Sequence, residues 1–202
     1  MKVFPTLLVA LACLSSAWSD SGGIVIISPG DAEGSGVMNN GGFEDESSTP
    51  WKSVGKNTNL AITADKENAY QGEKYAKVQK LFVPPYWTNV AQPTEHVIQA
   101  NDIYEISFYA KALRDNSNND KVSWNIFYTE DDKLNGKPTL IASGDSTPLT
   151  DAYELNSFKM NSPVPEEAVG KILFISIISD HMRDHGSAAV DNVSLTAGKS
   201  TP

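Results

Sequence analysis

Tyr104-Glu-Ile-Ser-Phe-Tyr-Ala110 is the stretch on which the fold turns. Its bulky apolar residues recur at every second position, so Tyr104, Ile106, Phe108 and Ala110 share one side. A period of two belongs to a half-buried strand, since successive side chains of a strand point to opposite faces. Val122-Ser-Trp-Asn-Ile-Phe-Tyr128 repeats the pattern. Val122, Trp124, Ile126 and Tyr128 fall on one face, and Ser123, Asn125 and Phe127 on the other. Lys171-Ile-Leu-Phe-Ile-Ser-Ile-Ile178 is apolar on both faces and reads as a central strand. Ala188-Ala-Val-Asp-Asn-Val-Ser-Leu195 closes the series.

Shorter candidate strands lie at 59–64, 75–79, 96–99, 139–143 and 155–160. Turn-rich segments at 115–120, 131–138 and 163–167 separate the runs. No segment keeps helical periodicity beyond a couple of turns, and no internal repeat is found. Many short strands with turn signals between them predict an all-β sandwich.

Both ends of the 202-residue chain differ from this body. Met1-Lys2, an apolar run from Val3 to Leu14 and small residues at Ala17 and Ser19 have the layout of a secretory signal peptide covering 1–19. The run is too short to span a bilayer. The single cysteine, Cys13, falls inside it, so the processed chain carries no thiol and no disulfide. A second reading makes Leu11-Ala12-Cys13 a lipid-attachment site. Residues 20–37 form a Gly/Ser-rich segment around Ile24-Val25-Ile26-Ile27, residues 38–197 the domain, and residues 198–202 a frayed tail. The expected product is extracellular.

The net charge is −9 and the isoelectric point about 4.7. Such a chain lacks the basic footprint that phosphate backbones and anionic membranes select, so neither nucleic acid nor membrane insertion is expected. Acidity keeps a monomer in solution, and it also suits Ca²⁺. The motifs Gly-x-Ser-x-Gly, Gly-x-x-x-x-Gly-Lys and His-Glu-x-x-His are absent. A glycosidase needs only two carboxylates roughly 5–9.5 Å apart, and 25 acidic residues leave that open. Asp131-Asp132 and Glu166-Glu167 sit in turns, where surface charge is the default. Asp180-His-Met-Arg-Asp-His185 holds two of the three histidines. It reads either as a metal or acid–base site or as a polar loop between the last two strands.

Five further stretches occur in a familiar order. Asn40-Gly-Gly-Phe-Glu44 is followed by Trp51, then by Ala69-Tyr-Gln-Gly-Glu-Lys-Tyr-Ala-Lys-Val78. Next come Trp87-Thr-Asn-Val-Ala-Gln92, Ala100-Asn-Asp-Ile-Tyr-Glu-Ile-Ser-Phe-Tyr-Ala-Lys-Ala112 and Ala189-Val-Asp-Asn-Val-Ser-Leu195. Together they resemble the carbohydrate-binding modules of families four, nine and twenty-two. Asn101-Asp102 stands in the turn where that family usually has glycine. The resemblance covers about residues 38–196 and implies a galactose-binding-like β-jelly roll.

It also implies a non-catalytic partner for a polysaccharide of the β-glucan or xylan type. Sugar rings stack their C–H faces on aromatic side chains while amides and carboxylates meet the hydroxyls. Contacts of about 1 kcal/mol each add up to micromolar or millimolar affinity. Trp87, in the Pro84-Pro-Tyr-Trp-Thr-Asn-Val loop, is the leading ligand residue, with Tyr86 beside it. Tyr109, Asn125 and Phe127 are placed on one groove face, and Gln92 and Asn125 are hydroxyl partners or merely solvated. Trp124 and Trp51 are assigned to the core. For Ca²⁺ the resemblance implies Glu44 and Asp191 as carboxylates and Gly72 and Lys74 as carbonyl donors. The competing reading has the two carboxylates capping backbone groups. Two other functions stay open: a jelly-roll hydrolase or lyase, and a structural cell-surface protein without sugar binding. The sequon Asn192-Val-Ser194 is set in the closing strand.

Overall fold

The computed structural model describes residues 36–54, 62–80, 87–113, 119–182 and 185–200, and only the main chain of Trp87 and Thr88. The signal-peptide reading, most of the Gly/Ser-rich segment and Tyr86 lie outside the described residues.

Among the described residues ten strands follow one another: β1 (Lys52–Val54), β2 (Ile62–Ala64), β3 (Lys74–Lys80), β4 (Trp87–Val97), β5 (Asp102–Ala112), β6 (Ser123–Thr129), β7 (Pro138–Asp145), β8 (Glu154–Lys159), β9 (Ile172–Ile178) and β10 (Ser187–Lys199). A 3₁₀ turn, Glu166–Ala168, precedes β9. All pairings are antiparallel. They make two sheets. The first runs β7-β6-β9-β4-β1, the second β8-β5-β10-β3-β2. The start of β4 pairs with β3 through Thr88 and Trp87, and its remainder pairs with β1 and β9. One strand therefore turns the corner between the layers. This is the all-β sandwich that the alternating stretches predict, in a jelly-roll arrangement.

The core lies between the sheets. Ile106, Phe108 and Ala110 of β5 meet Trp124, Ile126 and Tyr128 of β6, and Leu173, Ile175 and Ile177 of β9 fill the middle. β5 alternates between buried and half-exposed residues along its length, as its sequence requires. Central β9 is buried on both faces. Trp51 and Trp124 belong to the core. Burying such side chains stabilises the fold by about 1.5–3 kcal/mol each.

Three elements depart from the sequence reading. β4 is an eleven-residue strand where only 96–99 was expected, and Trp87 lies in it rather than in a loop. Pro93 hides the strand, because it gives no N–H to a ladder, and the register with β9 shifts just beyond it. β1 is too short to be read from periodicity. The expected frayed tail is corrected too. Gly198 and Lys199 belong to β10, paired with Ile103 and Asp102.

The β10 end is held by charge. Asp102, buried at the head of β5, accepts Lys199 Nζ at 2.7 Å, His96 Nε2 at 2.8 Å, the Gln99 amide at 2.8 Å and the Tyr104 hydroxyl at 3.2 Å. Burial pushes the Asp102 carboxyl up, but Lys199, the Gln99 amide and His96 more than reverse this and hold it below the ordinary value. Asn101 supplies the preceding turn with φ +65°, a conformation that asparagine tolerates better than most residues. That is how the chain does without the usual glycine.

Candidate functional site

Strand alternation turns one set of side chains of the first sheet away from the core. Asn125 of β6 stands opposite Ser176 of β9 and Ser143 of β7, with Ala91 of β4 and Lys52 of β1 completing the row. The next row is Pro93, Phe174, Phe127 and Leu140. Phe127 and Phe174 stack with centroids 5.4 Å apart and planes 20° from parallel. Neither belongs to the core cluster between the sheets, yet both are buried, Phe127 6% and Phe174 1% exposed. Leu140 stands 54% exposed at the β7 edge. Asn125 Nδ2 donates to Ser176 Oγ at 3.4 Å, a long contact that leaves the amide available to another acceptor. On the other side of the Asn125 row, Ser123 donates to Asp145 at 2.7 Å, and His181 Nδ1 meets the same carboxylate oxygen at 2.8 Å. The Asn125 amide and the exposed Ser143 hydroxyl can meet sugar hydroxyls, while the buried ring pair and Ser176 lie beneath the surface and support them.

Only part of the expected ligand set comes together here. Asn125 and Phe127 share this face. Gln92 does not. Its side chain turns inward from β4 and is 0% exposed, and Nε2 donates to the Asn39 carbonyl at 3.2 Å. Tyr109 does not either, because β5 belongs to the second sheet. The even spacing of polar residues on β5 and β6 resembles one continuous face, yet the two strands lie in different layers. Tyr109 packs on the outside of the second sheet, stacked on Tyr70 at 3.8 Å, with Tyr153 edge-on to Tyr70 at 5.3 Å and Lys111 above the Tyr153 ring. Trp87 heads β4 opposite Lys80. Ser176, Phe174, Ser123, Asp145 and His181 were not singled out as ligand residues. Ser176 carried a signal, as the one polar residue in the run Ile172–Ile178. The Asp145–His181 pairing has a separation of 36 residues and no local signature.

Glu44, Gly72, Lys74 and Asp191 do converge, around the loop before β3. Glu44 Oε1 accepts the Glu73 amide at 2.9 Å and the Lys74 amide at 2.7 Å. Asp191 Oδ2 accepts the amides of Tyr70 and Gln71 at 2.9 and 3.2 Å, and Oδ1 that of Asn192 at 2.6 Å. Gly72 has φ +74°, and a Cβ there would come 2.4 Å from the Glu44 carboxylate. The loop is thus cradled between two carboxylates, and capping of backbone groups is what they do. Asp191 is 0% exposed, and its carboxyl is pushed up to about 6. Burial is the main cause, the charge of Glu44 adds to it, and the three amides oppose it. Two hard oxygen donors whose charges repel each other suit a cation such as Ca²⁺ in type and in electrostatics. The Lys74 ammonium opposes one, since it donates to the Glu44 and Asp45 carbonyls at 3.1 and 2.7 Å. Among the described residues no group of three or more His, Cys, Asp or Glu side chains gathers for a metal, so main-chain carbonyls would have to complete any shell.

The motif Asn40-Gly-Gly-Phe-Glu44 owes its form to close approach. A Cβ on Gly41 would meet the Val193 carbonyl oxygen at 1.9 Å, and the Gly41 carbonyl accepts the Val193 amide at 2.9 Å. Phe43 packs tilted against Trp51 with ring centroids 5.1 Å apart, and Trp51 Nε1 donates to the Asn40 carbonyl at 2.9 Å. These contacts seat the first segment on the β10 bulge at 191–194.

Solved structures share this fold. One is "TmCBM61 in complex with beta-1,4-galactotriose": 16% identity, 81% of this chain and 99% of that one covered, TM-score 0.50. Another is the CBM22-1 xylan-binding domain of Xyn10C from Paenibacillus barcinonensis: 16% identity, 79% and 93% covered, TM-score 0.51. A third is a cyclase from Fischerella sp. TAU: 15% identity, 83% and 99% covered, TM-score 0.60. At these identities the likeness is one of fold, which hosts binding and catalysis alike. Among curated protein sequences none matches the chain significantly. Residues 35–169, more than half of the chain, match the model of a carbohydrate-binding domain, and the chain belongs to that family, the type of families four and nine.

Proposed function

We propose that the protein is a secreted, non-catalytic polysaccharide-binding module that takes a β-glucan- or xylan-type chain on the outer face of its first sheet. The observation that carries this is the outward row in which the half-buried Asn125 amide and the exposed Ser143 hydroxyl stand side by side on β6 and β7, over the buried Phe127–Phe174 pair. Two relatives of the same fold are named for a galactan oligosaccharide and for xylan. Trp87, at the corner where β4 starts on β3 of the second sheet, is a further candidate to stack on the chain. The protein acts as a monomer outside the cell, released by cleavage after residue 19, with attachment through Cys13 as the lesser route.

Glu44 and Asp191, with carbonyls of the Gly72–Lys74 turn, hold a structural Ca²⁺. Bound there, the ion would neutralise the buried Asp191 and the exposed Glu44 and tie the first segment to the last strand. Its test is thermal: Ca²⁺ at a hundred times its dissociation constant should stabilise the fold by about 2.7 kcal/mol, and chelator should remove the gain.

Affinity electrophoresis against xylan, mixed-linkage β-glucan and β-1,4-galactan tests the main reading. Retarded migration of the wild type is expected, with loss in Asn125→Ala and Trp87→Ala. No reducing ends or unsaturated uronates should form on long incubation. Unretarded wild type on every glycan would refute binding, and released products would replace it with catalysis.

A further inference from the structure

His181 lies in the loop after β9, yet it is held firmly. Ser179, two residues before it, gives its amide to Asn89 Oδ1 at 3.1 Å and its hydroxyl to the Gln79 carbonyl at 3.1 Å. The His181 carbonyl accepts the Lys121 amide at 3.3 Å, and the next side chain, Met182, is buried in the core. The imidazole is nonetheless 62% exposed. Its Nδ1 is committed to Asp145 Oδ1 at 2.8 Å, and the same oxygen accepts the Ser123 hydroxyl at 2.7 Å. A carboxylate on Nδ1 fixes the proton there, so in the neutral ring Nε2 is a hydrogen-bond acceptor. Ser123 and Asn125 are successive outward residues of β6, opposite Asp145 and Ser143 of β7. The imidazole therefore stands to one side of the Ser176–Asn125–Ser143 row, on the neighbouring Ser123–Asp145 pair.

We propose that His181, positioned by Asp145, is a further ligand-contacting residue: a wall at one end of the glycan face whose Nε2 accepts a sugar hydroxyl. This rests on the polysaccharide reading above. It also narrows the substrate class. The carboxylate that fixes the ring places a negative charge at this end of the face, in a chain of net charge −9. Uncharged sugars meet the wall without penalty, whereas uronate chains meet repulsion at both short and long range. An exposed side chain on a loop tied to a rigid sheet is the arrangement expected of a binding group.

The experiment compares the full chain with His181→Ala, His181→Gln and Asn125→Ala. Binding is measured by affinity electrophoresis and calorimetry on xylan, β-1,4-galactan and polygalacturonate. His181→Ala should keep the wild-type melting temperature and bind the preferred neutral glycan about tenfold more weakly. His181→Gln, which still offers an acceptor, should stay within about threefold of the wild type. Polygalacturonate should not retard the wild type. Should His181→Ala bind a neutral glycan as tightly as the wild type while Asn125→Ala does not, the wall is refuted and the polysaccharide reading stands. Equal binding of polygalacturonate and neutral glycan would overturn the substrate class. If no form binds any glycan, the polysaccharide reading falls and takes the wall with it.

Discussion

Asp191 in the bulge of β10 accepts the main-chain amide of Tyr70 at 2.9 Å, a bond between residues 121 apart in the chain. The acceptor is a buried carboxylate pushed up to about 6 from 3.8. A carboxyl raised on folding favours the protonated native state, so its contribution is complete below about pH 4 and is lost as pH rises through about 6. The stability of the wild type minus that of Asp191→Asn should therefore fall by on the order of 3 kcal/mol between pH 4 and pH 7 without divalent ions. Urea unfolding across that range checks it. A flat difference would mean that the charge is not buried in solution.

Asp102 shows the opposite sign. Its carboxyl is held down in the folded protein, so the stability it gives is present above the ordinary 3.8 and drains away as pH falls through its lowered value. Lys199 is half exposed, which limits its share of this. Lys199→Met should cost about 1 kcal/mol at pH 7, and less at pH 2–3, where the carboxylate is neutralised in both proteins. Denaturant midpoints at the two pH values decide.

Gly144 of β7 faces Trp124, and a Cβ there would lie 2.8 Å from the indole Cζ2. The indole is 6% exposed and tilted against Phe158 at 5.3 Å, so it has little freedom to yield. Gly144→Ala should destabilise by about 1–3 kcal/mol through overpacking, with a change in tryptophan emission.

Two adjacent glycines should behave oppositely. A Cβ on Gly41 collides with the Val193 carbonyl oxygen, which is backbone and cannot step aside, whereas one on Gly42 finds only Glu44 Cγ at 3.9 Å. Gly41→Ala should cost several kcal/mol, and Gly42→Ala should stay within about 0.5 kcal/mol of the wild type. Similar melting temperatures for the two would contradict the close seating of the first segment.

The fold was legible where burial dictates sequence. β5, β6 and β9 announce themselves because one or both faces must be apolar, and the core place of Trp124 follows from the same parity. β4 was not legible, because Pro93 breaks the signal of a strand whose register shifts beside it. The carboxylate cradle was legible through a motif in which each residue has a backbone duty: Glu44 caps amides, Gly72 adopts φ +74°, and Gly41 yields space. The ligand face was only half legible. Parity gives the two faces of each strand, but says nothing about which strands share a sheet. Sequence alone thus groups Tyr109 with Asn125 across a layer boundary, and Gln92, polar and near Trp87, reads as outward although its parity follows Val90 into the core. Asp145–His181 depends on two loops meeting and leaves no trace in either segment alone.

The corner strand β4 has one more implication, for how the molecule comes apart. It stitches both layers together along one border, while β7 and β8 each end a layer with a single neighbour and carry the solvent-facing Leu140 and Leu155. Peeling should begin at those free margins and stop at the stitched seam. Amide exchange should accordingly be fastest along 138–145 and 154–159 and slowest in β9 and β4, so that the glycan face frays from its β7 rim while its β4 and β9 floor stays intact.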